Sequence, residues 1–429
     1  MAAEESLNTG MNKEGRRMCK SMRHVIRTIF SGLLFSVAML LLAAGTTSAG
    51  SPHEPGKLEG YRLVGGPTLR EVEQLLAAHP LARLRQQGRE SLGERAPAAN
   101  PVKMYVVYYR TPGPKGRLVR ASGLVMIPDP QGKRQYPIVS FQHGTIYTRD
   151  HAPSYPEKCA YTPYLKAFAG MGYVLSIPDY IGMGRSKLRH PYAHAETEAS
   201  ASRDMLRAAK TLCSKLGVQL NGKLFLTGYS QGGRATMALQ RLIEDHHADE
   251  FPITASAPGG GPYDHYLFWT NDLRNPNQMS TVVAAFMIVA YNRIYGFNKD
   301  LGEIFKPPYH RYVDSLFDGT KTEEEIDKRL PVSLRDMLRP EFIKEFTQGR
   351  NPFYVAFTAN NTNTWRPKAP IRLFHARGDE ANPFEMSQLT AKYMKSLGVD
   401  VRVVDVGNYK HVDAFVYSLM AIKKWFDTF

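Results

Sequence analysis

From residue 101 the apolar residues fall into short, nearly unbroken runs, VKMYVVYYRT, LVRASGLVMIP and YPIVSFQ, set apart by turn residues. Runs of this length and β-branched content predict strands. After them the spacing alternates. YVLSIPDY is followed by TEASASRDMLRAAKTLCSKLG, KLFLTGY by GRATMALQRLIEDHH, IRLFHARGD by PFEMSQLTAKYMKSLG, and VRVVDVG by HVDAFVYSLMAIKKWFDTF. Strands that are apolar on both faces, each leading into an amphipathic helix, predict an α/β fold: a mostly parallel sheet with helices on both faces. Sheets of this kind hold ligands at the carboxyl ends of their strands.

One stretch interrupts the alternation. Residues 263–362 carry helical periodicity in MSTVVAAFMIVAYNRIYG and TEEEIDKRLPVSLRDMLRPEFIKEF. A structureless loop of that length does not suit a compact domain, so this region is expected to be a helical lid inserted into the core. The core is then divided into 101–262 and 363–429, and APGGGPY is expected to be a flexible crossing, a hinge into the lid. Residues 50–100 read as an N-terminal extension that starts flexibly at SPHEPG. Its one short helix, TLREVEQLLAAHP, begins with a capping box between Thr68 and Glu71 and stops at Pro80.

The first 49 residues have a different character. Lys13, Arg16, Arg17, Lys20, Arg23 and Arg27 precede the apolar run IFSGLLFSVAMLLLAAG, and Thr47 and Ala49 supply a small-residue exit. This order predicts a secretory signal peptide cleaved near Ala49, and hence a secreted or periplasmic protein. An uncleaved anchor fits less well, because the run falls short of the ~20 residues a membrane span needs. Arg16–Arg17 resembles a twin-arginine signal, but further basic residues follow it; no cysteine follows LLAAG to accept a lipid.

With 429 residues and 43% apolar content, the chain can bury a large core. Its formal net charge is +15, and signal cleavage would remove six basic and three acidic side chains, so the remainder stays basic. Such a field is explained first by ordinary charge-based solubility, and it also allows peripheral contact with anionic surfaces. No interleaving of basic and aromatic residues points to nucleic acid. Only Cys159 and Cys213 follow the signal segment; the sequence is compatible with a disulfide or with two buried thiols.

Candidate chemistry starts at LTGYSQGGRA. Gly228-x-Ser230-x-Gly232 lies between a predicted strand and a predicted helix, the setting of a nucleophile elbow, where a strained turn presents the serine and small neighbours let strand and helix approach. A serine hydroxyl needs a base, and the base an orienting carboxylate. Asp379 stands just past one later strand and His411 just past the last. Asp405 and Glu380 compete for the role of acid. His375, within a strand, reads as a satisfied core residue or a support to the site, and Asp413 as a helix-dipole partner. The oxyanion of acyl transfer requires two fixed N–H donors, expected from the amides of Gln231 and, in the loop SFQHGTIY, Thr145. His143 is expected to brace that loop and Asp179 to tie down the turn PDYIGMGRS. Gly182-x-Gly184 lacks the rest of a phosphate loop. His190, His194 and Glu196 are close in sequence, but their spacing matches no zinc enzyme, so neither metal nor cofactor is expected.

The order QHGT, PDYIGMGRS, GYSQGG, RGDEANPF and YKHVDAF resembles the α/β-hydrolase superfamily, and within it the secretory-lipase-like esterases, across roughly residues 100–429. The resemblance implies Ser230 as nucleophile, Asp379 as acid and His411 as base, in a serine esterase or lipase acting on a small-molecule or lipid ester. A peptidase would use the same residues, and the superfamily also contains non-catalytic binding proteins. TVVAAFMIVAY suits either the lining of an acyl pocket or a helix packed on the core. Nothing in the sequence fixes acyl length, alcohol or oligomeric state.

Overall fold

The computed structural model describes residues 54–78, 99–129 and 135–429; the predicted signal peptide and Pro80 lie outside them. Nine strands form one sheet, in the order β1-β2-β3-β5-β4-β6-β7-β8-β9. They are β1 (Leu58–Leu63), β2 (Val102–Pro112), β3 (Leu118–Pro128), β4 (Gln135–Gln142), β5 (Val174–Pro178), β6 (Gln219–Tyr229), β7 (Ile253–Gly259), β8 (Ile371–His375) and β9 (Val401–Asp405). The first three run antiparallel to their neighbours. From β5 across to β9 every pairing is parallel.

The unbroken apolar runs follow from burial on both sides. Along β6, Phe225 joins one core while Leu224 and Leu226 join the other, because successive side chains of a strand point to opposite faces. Helices α2 (Thr162–Gly170) and α10 (His411–Phe426) cover the first face. They contribute Leu165, Phe168, Phe415, Leu419, Ile422 and Phe426, and Phe426 stacks on Phe225 with ring centroids 4.4 Å apart. Helices α3 (Ala195–Lys215) and α4 (Gln231–His246) cover the other face with Leu206, Leu212, Leu239 and Ile243. Each large apolar side chain buried in this way is worth roughly 1.5–3 kcal/mol.

Helix α1 (Leu69–Ala78) opens with the expected capping box. The Thr68 N–H donates to Glu71 Oε2 at 2.7 Å, and the Glu71 N–H to Thr68 Oγ1 at 3.3 Å. Strand β1 was not anticipated. Its residues, LEGYRL, are largely exposed along an edge, so they carry no buried run; the pairing with β2 through backbone hydrogen bonds makes the strand.

Between β7 and β8 the chain is helical, with α5 (His265–Arg274), α6 (Gln278–Tyr295), α7 (Pro340–Thr347), α8 (Pro352–Ala359) and shorter turns, and α9 (Phe384–Ser396) links β8 to β9. Helices α7 and α8 start with proline in the first turn, where its missing N–H costs nothing. Trp269, Phe286, Phe305, Phe346 and Phe357 share one core. Helix α6 is buried almost all round from Ser280 to Tyr291, as a central core helix is; Gly296 ends it in the left-handed conformation. Thus TVVAAFMIVAY is chiefly a packing element. The expected flexible crossing APGGGPY is instead buried and tightly fitted. A Cβ at Gly261 would lie 2.8 Å from the Arg234 backbone nitrogen, and one at Gly259 2.8 Å from the Tyr229 ring, so these glycines serve close packing rather than a hinge. Cys159 and Cys213 are free, buried thiols, and burial pushes Cys213 up to about 12.

Candidate active site

Strand β6 ends at Tyr229 and α4 begins at Gln231, leaving Ser230 alone in the turn with φ 60° and ψ −126°. A non-glycine residue in such a conformation costs about 1–3 kcal/mol and persists only where its surroundings impose it. Here they do. The Ser230 N–H donates to the Gly259 carbonyl at 3.0 Å. A Cβ at Gly228 would lie 2.5 Å from the Gln142 and Gly232 carbonyl oxygens, and one at Gly232 would collide with the Gln142 carbonyl. The glycines flanking Ser230 therefore let β6, β4 and α4 converge.

Asp379 lies in the loop after β8, and His411 is the first residue of α10, just beyond β9. Their side chains meet, with His411 Nδ1 2.7 Å from Asp379 Oδ2. They are 5% and 8% exposed, shielded from water yet at the rim of the sheet. The carboxylate also accepts the Ala381 and Asn382 N–H groups at 3.0 and 2.8 Å, and His375 Nε2 stands 3.3 Å from it. Burial opposes its charge, but the attraction of His411 and hydrogen bonds from His375 and His411 hold the Asp379 carboxyl well below the usual carboxylate range. The His411 ring packs on Tyr229, centroids 5.1 Å apart, beside the residue that precedes Ser230. Among the described residues the imidazole makes no hydrogen bond to the Ser230 hydroxyl, as is common before substrate binds.

Both expected oxyanion residues border the same turn. Gln231 heads α4, where backbone N–H groups lack helical partners. Thr145 follows Gly144, whose Cβ, if present, would stand 3.1 Å from the Tyr229 carbonyl and 3.4 Å from Ser230 Cβ. His143 Nδ1 and Nε2 lie 2.7 and 3.2 Å from the carbonyls of Gly144 and Asp179, a bracing position. Asp179 accepts the Ser122 hydroxyl at 2.5 Å and the Ser154 N–H at 2.8 Å, tying down its turn.

The competing residues are occupied elsewhere. Asp405 pairs with Arg377 at 3.0 Å. Glu380 accepts the His411 backbone N–H at 3.0 Å. His375 has Ser387 Oγ 2.7 Å from Nδ1 and the Asn382 carbonyl 3.0 Å from Nε2, so it supports Asp379 from within the core. Asp413 sits in the first turn of α10. His190, His194 and Glu196 do not converge: His190 binds the Ile181 carbonyl at 2.6 Å, His194 Nδ1 lies 3.2 Å from Thr197 Oγ1, and Glu196 is exposed.

Sequence reasoning missed a buried polar network behind the turn. Gln231 Nε2 donates to Glu198 Oε1 at 2.8 Å and lies 3.2 Å from His190 Nε2. Glu198 Oε2 pairs with Arg234. Arg234 in turn donates from Nε to His265 Nε2 at 2.8 Å and from Nη2 to the Asn360 carbonyl at 3.1 Å. Isolated charges inside the small-residue runs TEASAS and GRATMAL were the signal available in the sequence.

Burial holds these imidazoles neutral. His143 and His194 are pushed down to about 4, His190 to about 3, and His265 well below the ordinary value. An unfolded histidine binds a proton near pH ~6.5, so below that pH the unfolded chain holds more protons than the native one. Stability is therefore fully present above about pH 6.5 and falls as pH drops toward 4, by up to about 1.4 kcal/mol per pH unit for each such histidine. Thermal melting from pH 8 to pH 4 is expected to show the melting temperature falling steadily below about pH 6.5. A melting temperature flat down to pH 4.5 contradicts the buried neutral state.

Comparison with known proteins gives a consistent context. No family model matches the chain. It is 23% identical to the secreted triacylglycerol lipase LIP7 of Malassezia globosa, the match covering 74% of this chain and 69% of that protein. With the secreted triacylglycerol lipase LIP1 of Malassezia furfur it is 24% identical over 56% of this chain, spanning only 47% of that relative's length. Among solved structures, the rice cell wall degrading esterase LipA of Xanthomonas oryzae superposes with a TM-score of 0.75 at 28% identity, covering 86% of this chain and 95% of LipA. Candida antarctica lipase A shares the fold at 18% identity, with a TM-score of 0.62 and coverage of 87% and 83%.

Proposed function

We propose that the chain, which is similar to lipases and esterases of the α/β-hydrolase fold, hydrolyses carboxylic esters through an acyl-enzyme on Ser230. His411 takes the Ser230 proton as the hydroxyl attacks the ester carbonyl, then returns it to the departing alcohol. Asp379 keeps His411 in the tautomer whose Nε2 is free to act, since Nδ1–H is committed to the carboxylate. The amides of Gln231 and Thr145 stabilise the oxyanion. Water, activated by the same imidazole, then releases the acid and restores Ser230. No step calls for a cofactor. The observation that carries this reading is the 2.7 Å contact between His411 and Asp379, made beside a serine held at φ 60°.

Residues 263–362 act in this reading as the cover over the strand ends. The relatives named as secreted lipases and the basic segment before the apolar run support export with cleavage near Ala49, the basic mature surface then meeting anionic surfaces. Among the described residues no helix is long and apolar enough to cross a membrane.

The test is a panel of p-nitrophenyl esters with acyl chains of increasing length, run beside aminoacyl anilides. Turnover of esters with anilide rates at least about 10³-fold lower is the expected result, a gap of about 4 kcal/mol in transition-state stabilisation. Comparable anilide turnover would favour a peptidase. Inactivity toward every substrate, together with failure of a fluorophosphonate to label Ser230, would leave a binding protein on this scaffold.

A further inference from the structure

The two residues assigned to the oxyanion hole share a feature that the reaction scheme does not use: each is tied through its side chain to the helices between β7 and β8. The first tie starts at Thr145. Its hydroxyl lies 2.6 Å from the Tyr192 hydroxyl. The Tyr192 ring stacks on Phe286 of α6 at 4.2 Å and 3°, and Phe286 stacks on Phe317 at 4.5 Å and 9°. The second tie starts at Gln231, whose side chain is held by Glu198. Glu198 pairs with Arg234, which reaches His265 at the head of α5 and the Asn360 carbonyl just after α8. Asn360 closes the circuit by accepting the Ala195 N–H at the start of α3, 2.8 Å away.

None of these groups has freedom to wander. Arg234 and Glu198 are 0% and 1% exposed, Gln231 and Tyr192 each 2%, and Phe286 1%. A buried ion pair of this kind adds little net stability compared with apolar packing, but it is costly to break and fixes geometry. Stacked rings likewise hold one arrangement. An oxyanion hole gains its power from donors that need no reorganisation, and a buried, hydrogen-bonded side chain adds to the backbone's own hold on the amide of its residue. We propose that the helical segment is a brace for the oxyanion hole, with Tyr192 and Phe286 positioning Thr145, and Glu198 and Arg234 positioning Gln231.

This proposal rests on the esterase reading and goes beyond it, since it assigns the segment a static role in transition-state binding besides covering the site. Two consequences separate a brace from a lid that swings away. Loosening either tie lowers kcat and leaves KM nearly unchanged, because the tie acts on the oxyanion and not on ground-state binding. Substrate aggregation brings no jump in rate, because both ties are already formed.

The experiment compares wild type, Tyr192→Phe and Glu198→Gln on p-nitrophenyl butyrate, with active sites titrated by a fluorophosphonate and melting temperatures recorded. Tyr192→Phe keeps the ring stack and removes only the bond to Thr145. Glu198→Gln keeps an acceptor for Gln231 and removes the charge that holds Arg234. In each, kcat per titrated site is expected to fall about tenfold, less than the 10²–10³ lost when a donor is deleted outright, with KM within about twofold. Affinity for an alkyl boronic acid, which forms a tetrahedral adduct on the serine, falls in proportion. Rate against tributyrin concentration stays smooth through the solubility limit. Unchanged kcat per site in Tyr192→Phe overturns the proposal, as does a loss confined to KM or to melting temperature, or a surge in rate at the oil surface. Tyr192→Phe decides the matter if Glu198→Gln does not fold. Wild type that neither turns over nor labels removes the esterase reading and this inference together; an active wild type with unaltered variants removes the inference alone.

Discussion

Replacing Ser230 with alanine is expected to lower kcat for short p-nitrophenyl esters by about 10⁴-fold or more, with the melting temperature nearly unchanged. Alanine cannot form the acyl-enzyme, so what survives is catalysis by binding and the oxyanion amides. Its Cβ meets the same backbone strain as serine's at φ 60° and ψ −126°, so stability stays where it was. Glycine at the same position separates the two effects. Ser230→Gly is equally inactive but sheds strain worth about 1–3 kcal/mol, against an entropic cost near 0.5–1 kcal/mol. A net gain of about 1 kcal/mol over Ser230→Ala, measured by chemical denaturation, is the expected sign of strain maintained for function. Ester turnover that persists in Ser230→Ala assigns the nucleophile elsewhere, and a Ser230→Gly variant no more stable than Ser230→Ala removes the strain argument.

The second large effect is expected at Asp379. An asparagine there can still accept the Ala381 and Asn382 N–H groups through its amide oxygen. Its NH₂ then faces His411 Nδ1, which must become an acceptor and leave the proton on Nε2, the tautomer that cannot take a proton from serine. A loss of about 10⁴-fold in kcat follows, the scale known for this exchange in other triads. Asp379→Ala adds a stability cost, because buried N–H donors lose their acceptor at about 1–3 kcal/mol each. The pH dependence has a defined sign. The folded carboxyl lies below its ordinary range, so its contribution to stability is present above about pH 4 and is lost as pH falls further. The stability gap between wild type and Asp379→Asn should therefore narrow below about pH 4. Asp379→Asn with near wild-type turnover would move the acid role to Asp405 or Glu380.

The sequence was most legible where structure is local. A run such as KLFLTGY must be a strand buried on both faces, and glycine on either side of Ser230 is the local requirement of a tight strand-to-helix turn. The capping box at Thr68 and Glu71 is also a matter of neighbouring residues. Strand β1 was not legible, because an exposed edge strand is defined by its partner. The glycines of APGGGPY read in the sequence as freedom but are there for contact, since composition alone does not distinguish a hinge from a close approach of backbones. Tyr192, Glu198, Arg234 and Phe286 passed as ordinary members of their segments.

What the chain alone determined is the alternation of strands and helices, and with it the rule that chemistry collects at the strand ends; periodicity and turn residues are properties of short windows and survive without a fold. Only the tertiary structure decided that Asp379 and His411, 32 positions apart, share a hydrogen bond. It also decided that a glutamate and an arginine 36 positions apart are buried against each other behind Gln231. Such pairings depend on register and on which helix lies over which strand, and they are stable only because the surrounding core excludes the water that would otherwise solvate each charge.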